Sequence, residues 1–449
     1  MNRDSVQPDE RLFPILSDAG RAMLQQLVTH PAAPRFRNRS GHRLLPADLP
    51  LLRAFADEVL ATQPGWPQGA EPTWLAGFAA EAYQRVPAYR KRGAVPARFA
   101  DIPTTSRADL SRDITRFVPD HLALDRLIEY STSGTTGHPL KLPSHPHVAA
   151  SYLAFHRRAL AARGVTLHAG AGDVSVVLAG FQARCFTYVS VNPLLGEAGL
   201  AKINLHPDDW AQPADRARYL DAMAPELITG DPLSLSELAT LEMQHRPRAL
   251  LSTSMALSSG LCQTLEARFG CPVLDIYSMN ECGPIAAYDP AVGGHVLLQH
   301  RLFVELLDAD GQPVAPGERG EITLSGGFNF YLPLLRYRTG DFAAMAHTAV
   351  GPVLYGLHGR PPVRFKTMVG RWINNVDVSH ALARFALAQY TLHQAADLSL
   401  TLCLRPAGMA LAPDLIIALR ALFGADIPVN VGALQAADKV IQYSRADQA

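Results

Sequence analysis

Residues 130–143 read YSTSGTTGHPLKLP, a run of small hydroxylated residues and glycines suited to holding phosphates. Gly134 and Gly137 let the backbone approach an anion closely, while Thr132, Ser133, Thr135 and Thr136 offer hydroxyl and peptide N–H donors. The spacing argues against a Walker loop, which sets its glycines farther apart and follows them with lysine; here His138 follows. At 275–284, DIYSMNECGP, an apolar run leads into Tyr277 and then Glu281. At the end of a strand in an open α/β sheet, such a ring can stack on a nucleotide base and such a carboxylate can coordinate a cation bridging phosphates. At 334–341, LLRYRTGD sets Asp341 behind a Thr-Gly turn, where it can accept both hydroxyls of a ribose. Each motif alone also has a plainer reading: a solvated turn, a core tyrosine, a surface glutamate, a hairpin aspartate.

These residues need elements to position them. Apolar residues recur at helical spacing over 15–30, 47–62 and 73–86, so the first hundred residues are expected to be mainly helical. Another helix is expected over 151–164. Short β-branched or leucine-rich runs at 173–180, 198–205, 225–230, 248–253 and 272–278 read as strands, with helices between them at 214–224, 233–244 and 258–269. This alternation predicts an α/β fold with a largely parallel sheet. From 296 to 345 the strands are joined by Asp-Gly and Pro-Gly turns, as in an antiparallel sheet or distorted barrel. Beyond about 360, SHALARFALAQY, LSLTLCLRP, DLIIALRALFG and IPVNVGAL read helix, strand, helix, strand, a separate small unit. HGR at 358–360 puts Arg360 where that unit begins.

Composition limits the partners. The 449 residues are 48% hydrophobic and 18% charged, with 41 basic and 41 acidic residues, so there is no electrostatic footprint for nucleic acid or an anionic membrane. No run of apolar residues suggests a membrane span and no signal peptide is evident, which makes the cytoplasm the expected location. Five scattered cysteines, without a CxxC pair, indicate neither a disulfide framework nor a standard zinc site. Cys282 does lie near His295 and His300 in sequence, but a buried thiol and surface histidines are the better reading. Only Lys91, Lys141, Lys202, Lys366 and Lys439 are lysines, so a step that needs a compact ammonium has few candidates.

Together and in order, STSGTTGHP, IYSMNE, YRTGD and GR resemble the phosphate-loop, Tyr-Gly-x-Thr-Glu, ribose-binding and hinge motifs of the adenylate-forming superfamily, which includes acyl-CoA synthetases, nonribosomal-peptide adenylation domains and luciferases. VPAYRKR (86–92) and DIPTTSRADL (101–110) are similar to signatures of its phenylacetate–CoA ligase group. The resemblance covers about residues 80–445. It implies a large N-terminal multi-sheet adenylating domain over 1–359, with a helical start and a distorted antiparallel barrel, and a small α+β C-terminal lid over 360–449. It also implies activation of a carboxylic acid by ATP and Mg²⁺ to an acyl-adenylate with release of pyrophosphate, then transfer to coenzyme A. In that reading Thr132, Ser133, Gly134, Thr135, Thr136 and Gly137 hold phosphates, and Tyr277 stacks on adenine. Glu281 binds the metal, Asp341 and Arg360 hold the ribose, and Lys439 is the mobile cation that meets the carboxylate and α-phosphate.

The chain departs from the pattern at four places. His138 replaces a lysine, leaving loop charge to its own protonation or to Lys141; Ser278 and Asn280 replace a glycine and a threonine. Asn280 can still hydrogen-bond a phosphate or the carboxylate. STSMALS (252–258) lacks the usual acid, and Pro362 stands at the hinge. The acid pocket is expected around Phe181, Arg184 and Phe186, around Ser254, Met255 and Ala256, and around Ser278, Met279 and Gly283, with rings that favour an aromatic acid. Three alternatives stay open: transfer to a carrier-protein phosphopantetheine, transfer to an amine, or a catalytically idle nucleotide or acyl-adenylate sensor on the same fold. A homodimer is compatible with everything above.

Overall fold

In a computed structural model, residues 9–131, 140–359, 363–434 and 440–446 are described. Three helices open the chain: α1 (Asp18–Thr29), α2 (Asp48–Ala61) and α3 (Leu75–Arg85), followed by the short α4 (Pro87–Arg90). Ser17 caps α1 by accepting the Gly20 N–H, and Met23, Leu24 and Leu27 form its buried stripe. Next come β1 (Thr105–Ser106) and α5 (Arg107–Arg112), which starts in a capping box between Ser106 and Asp109. The strands β2 (Ile128–Ser131) and β3 (Lys141–Ser144) pair antiparallel on either side of the phosphate-loop segment, and α6 (Pro146–Ala162) follows.

The alternating part begins with β4 (Val174–Gly180), β5 (Tyr188–Asn192) and β6 (Ala198–Asn204). It continues with α7 (Asp215–Met223), β7 (Leu227–Gly230), α8 (Pro232–Ala239), β8 (Ala249–Ser252), α9 (Ser259–Phe269) and β9 (Val273–Met279). Strands β9, β8, β7, β4 and β6 lie side by side and parallel, with β5 antiparallel at the edge. Six of the seven residues of β4 are buried, as expected of a strand covered on both faces. The chain then turns antiparallel through β10 (Gly283–Asp289), β11 (Gly294–Leu297), β12 (Leu302–Leu307), β13 (Arg319–Gly326), β14 (Leu334–Thr348) and β15 (Gly351–Gly359). These strands run β12-β13-β14-β15-β11-β10 and join the parallel set at β9, with β1 beside β14, in one 13-stranded sheet among the described residues.

The last part has its own hydrophobic core, built from residues between Phe365 and Tyr443. A hairpin of β16 (Arg364–Lys366) and β17 (Trp372–Asn374) leads into α10 (Asn375–Ala383). Then follow β18 (Tyr390–Gln394), β19 (Leu400–Leu404), α11 (Ala412–Phe423), β20 (Val429–Ala433) and β21 (Tyr443–Arg445), with sheet order β20-β19-β18-β21.

Several expectations shift. The helix expected over SHALARFALAQY ends at Ala383, because the chain there turns to dock on α9: Ser258 Oγ donates to the carbonyls of Phe385 and Leu387, and Ser259 Oγ to that of Ala383. Tyr390 instead begins a strand. Pro406–Phe423 reaches a mean hydropathy of 1.5 over 18 residues, long and apolar enough for a membrane span by composition, which the sequence reading overlooked. Its Leu415, Leu419 and Phe423 pack into the smaller core, while 28% of the stretch as a whole is buried.

Candidate functional site

The carboxyl end of a parallel strand is where open α/β sheets present ligand contacts. Here that end belongs to β9, which carries Tyr277, Ser278 and Met279 before the chain turns through Asn280 and Glu281 and returns as β10. Gly283 closes the turn with φ +71°, and a Cβ there would fall 2.7 Å from Phe328 Cζ and 3.0 Å from Tyr152 Cζ. A glycine is therefore what lets the two rings pack against the turn.

Tyr277 Oη donates to Asp341 Oδ2 at 2.7 Å. Burial, reinforced by that carboxylate, pushes the Tyr277 phenol well above its ordinary pKa, so it stays a donor. The Thr-Gly-Asp turn is held from behind. The Asp341 N–H donates to Thr339 Oγ1 at 3.0 Å, and the Thr339 hydroxyl to the Ile322 carbonyl at 2.8 Å. Glu321 on β13 accepts the Gly340 N–H at 2.9 Å and Arg338 Nε at 2.7 Å.

Glu281 is 3% exposed, and its Oε1 accepts from Tyr337 Oη and from Arg107 Nη1, each at 3.2 Å. A carboxylate buried to this degree requires such partners. Tyr337 and Asp341 stand on β14, Tyr277 on β9, and Glu281 in the turn after it, so two strands bring an aromatic ring and two carboxylates into one neighbourhood.

The upstream motifs hold this arrangement. Thr105 and Ser106 pair in parallel with Tyr337 and Arg338, and the Thr105 hydroxyl donates to the Leu335 carbonyl at 3.2 Å. Arg92 donates to Thr105 Oγ1 at 3.0 Å and to the Pro103 carbonyl at 2.7 Å, with its guanidinium 5.1 Å from the Tyr89 ring centre. Tyr89 is buried and donates to the Pro333 carbonyl at 3.1 Å while accepting the Leu335 N–H at 3.2 Å. Arg336, 3% exposed, forks onto Glu305 with two 3.1 Å bonds and also donates to the carbonyls of Ile102, at 2.8 Å, and Ala100. The VPAYRKR and DIPTTSRADL segments thus fix β14 and deliver Arg107 to Glu281.

The expected acid-pocket residues divide. Phe186 is half exposed and meets Tyr188 edge to face at 5.7 Å, and Arg184 is exposed. Phe181 packs against the core and stacks on His206 at 6.0 Å. Ser254, at φ +72°, and Ala256 are exposed, and Met255 is half-buried. Ser278 and Met279 are half-buried and Asn280 is exposed. Thr132, Ser133, Gly134, Thr135, Thr136, Gly137, His138, Arg360, Pro362 and Lys439 lie outside the described residues. Lys141 is exposed on β3 and pairs with Glu129 at 3.3 Å across the hairpin.

Three tyrosines escaped the sequence reading. Tyr130 at the start of the loop, Tyr152 on α6 and Tyr188 on β5 are close enough that Tyr188 helps burial push the Tyr130 phenol to about 12, and Tyr130 acts likewise on Tyr152. Tyr152 also meets Phe328 edge to face at 5.4 Å beside the Gly283 turn, and the Glu281 charge raises its phenol further. Arg107 and Tyr337 stood inside recognised motifs; the basic residue after DIPTTS was the available signal. No such signal marks Tyr152 on its helix.

The metal reading from Cys282 and the histidines finds no support in the geometry. Cys282 is buried with its thiol pushed well up by burial, His295 faces Asp275 at 3.4 Å, and His300 faces Glu58 at 2.9 Å. No group of three or more metal-ligating side chains occurs among the described residues. Glu281, whose Oε1 is held by Arg107 and Tyr337, is a single carboxylate that would hold a Mg²⁺ ion, leaving bound phosphates to supply further oxygens.

The AMP-binding enzyme family matches residues 127–331. The phenylacetate-coenzyme A ligase of Escherichia coli (strain K12) is 24% identical over 289 residues, 59% of this chain and 64% of that protein, so the match spans just under two thirds of that relative's length. The phenylacetate-coenzyme A ligase of Aromatoleum evansii is 25% identical over 325 residues, covering 67% of this chain and 70% of that protein. Among solved structures, 2-hydroxyisobutyryl-CoA ligase in the postadenylation state, in complex with R3-HIB-AMP, superposes with a TM-score of 0.63 at 17% identity, over 85% of this chain and 90% of that one. At this identity the likeness establishes the fold.

Proposed function

We propose, on the premise that this chain is of the adenylate-forming superfamily and similar to its phenylacetate–CoA ligase-like group, that it activates a carboxylic acid with ATP and transfers the acyl group to coenzyme A. The observation that carries the proposal is the convergence of Tyr277, Glu281 and Asp341 at the end of β9, over a core that also holds Leu142 of β3, the strand after the phosphate-loop sequence.

The chemistry follows from the leaving group. A carboxylate is a poor acyl donor because oxide would have to depart. Attack of its oxygen on the α-phosphorus of ATP breaks the α–β bridge, expels pyrophosphate and gives an acyl-adenylate. A thiol then attacks the acyl carbon, loses its proton and expels AMP. The first step needs alignment and charge neutralisation more than covalent help from the protein. Tyr277 offers its ring to adenine, and Asp341, held by the Thr339-Gly340 turn that Glu321 anchors, takes the ribose hydroxyls with Arg360. Thr132–Gly137 cradle the phosphates. Glu281 would hold Mg²⁺, whose charge offsets that of the phosphates, and Lys439 is the cation at the reacting carboxylate, with Asn280 as a further donor. The folded units are taken as 1–359 for the nucleotide and acid and 360–449 as the lid.

An aromatic acid is the favoured substrate class. Support comes from the Phe186–Tyr188 pair and from Tyr152 beside the Gly283 turn, since such rings give flat apolar substrates large contact area. The cytoplasm is the location assumed for these substrates. The test is pyrophosphate release with a panel of aryl and alkyl acids, with and without coenzyme A. Acid-dependent pyrophosphate and acyl-CoA with aryl acids is expected. Absence of acid-dependent pyrophosphate across the panel removes the enzyme reading, and pyrophosphate without thioester redirects it to a carrier protein or an amine.

A further inference from the structure

A cavity of about 300 Å³ lies between α6, α2 and the chain around Gln299 and Phe328. Its walls are rings that touch one another: Phe55 meets Phe155 at 5.7 Å and Phe328 at 6.3 Å, and Phe155 meets Phe328 at 4.8 Å. At its mouth, Phe330 and His147 stand edge to face at 6.2 Å.

Between the rings, Glu58, Ser151, Gln299, His300 and Arg301 also line the cavity, and two of their buried polar atoms lack partners among the described residues. Gln299 is 2% exposed; its Nε2 donates to the carbonyls of Cys282, at 2.8 Å, and Pro284, at 2.7 Å, while Oε1 has no partner. That oxygen is 3.7 Å from the place a Cβ on Gly327 would occupy, and Gly327 lines the cavity. His300 engages Glu58 through Nε2 at 2.9 Å, and its Nδ1 is buried without a partner. Burial holds the His300 pKa below its ordinary value in spite of Glu58, so the ring is neutral near pH 7 and Nδ1 is an acceptor. A ligand that donates to an unpaired buried acceptor recovers the cost of leaving that hydrogen bond unmade. Glu58 accepts from the neutral His300 ring and is opposed in charge by Arg301 at 3.7 Å, so no unbalanced charge asks for an ion.

We infer that this cavity is a binding site for a small neutral aromatic molecule of one or two rings bearing an N–H or O–H donor. The size, at the low end for ligand pockets, admits nothing much larger. The site is separate from the proposed adenylation site yet joined to it, because Gln299 holds the carbonyls on either side of Gly283 and Phe328 packs against that turn.

Indole and indene serve as probes, nearly identical in shape and differing in the N–H donor. Saturation-transfer NMR and calorimetry on the full chain are expected to show indole binding at least tenfold tighter than indene. His147→Trp, which fills the mouth, should abolish indole binding, and Phe330→Ala, at an exposed position, should weaken it several-fold without affecting folding. Equal affinity for the two probes, indole binding that survives both substitutions, or no binding of either probe overturns the inference.

Discussion

Tyr277 and Asp341 hold each other, phenol to carboxylate, at 2.7 Å across β9 and β14. A ribose diol arriving at Asp341 would replace one donor by another, so the carboxylate need never be bare. Hydrogen bonds to a charged group are worth about 1.5–3 kcal/mol, or roughly 10–100-fold in affinity. Asp341→Ala is therefore expected to weaken binding of a non-hydrolysable ATP analogue by that factor in calorimetry. Tyr277→Phe, which keeps the ring, should change it less than about fivefold. Asp341→Ala with affinity within twofold of the parent removes Asp341 from the ribose.

Glu281 gives a sharper separation of fold from function. Its carboxylate is buried between Tyr337 and Arg107, so Glu281→Gln, which preserves shape and a hydrogen-bonding oxygen, should keep the thermal midpoint within a few degrees of the parent. Losing the metal-binding charge should lower Mg²⁺-dependent pyrophosphate release by a factor on the order of a hundred or more. Arg107→Ala is the contrasting change. It leaves the buried carboxylate underpaired and should destabilise by about 1–3 kcal/mol, below the usual cost for a buried pair because Arg107 itself is 36% exposed. If Glu281→Gln retains full Mg²⁺-dependent activity, the metal role belongs elsewhere.

The alternating strands and helices were legible in sequence because each is a short periodic run with a clear boundary: β4 over Val174–Gly180 and α1 over Asp18–Thr29 fall within the expected ranges. Edge and short strands were not. Tyr188–Asn192 and Tyr443–Arg445 carry little pattern and become strands only through partners elsewhere in the chain. The same holds at the site. Tyr277, Glu281 and Asp341 could be read from motifs, but the Tyr277–Asp341 bond spans 64 positions and the Arg107–Glu281 pair 174. Arg336 illustrates the limit: it reads as one more arginine in LLRYRTGD, and only the fold shows it forked onto Glu305 beneath the strand.

His156 on α6 makes stability depend on pH. Burial lowers its pKa from 6.5 to about 4. The unfolded chain therefore binds the proton more readily, so this contribution to stability is complete above about pH 6.5 and is lost as the pH falls towards 4. A shift of this size is worth about 3 kcal/mol. His358 is lowered in the same direction, also to about 4, and persists in a His156 variant. Urea unfolding of the parent and of His156→Gln at pH 7 and pH 4 should show the parent losing about 2–3 kcal/mol more than the variant. Parallel losses in the two proteins mean that His156 is protonated as easily folded as unfolded.

The contact between α9 and the small C-terminal unit rests on a glycine. A Cβ on Gly260 would lie 2.4 Å from the Arg384 carbonyl oxygen and 2.4 Å from the Phe385 carbonyl carbon, backbone atoms that cannot rotate away. The three hydrogen bonds that Ser258 and Ser259 donate to the carbonyls at 383, 385 and 387 depend on the same close approach. Gly260→Ala must therefore push the 383–387 segment off the helix while leaving both cores intact, since α9 itself favours alanine over glycine. Limited trypsin digestion at Arg384 reads this directly. Cleavage there is expected to quicken at least tenfold, with an unchanged far-UV spectrum. An unchanged rate means that the segment is accessible without the clash, and that these three bonds do not hold the unit in place.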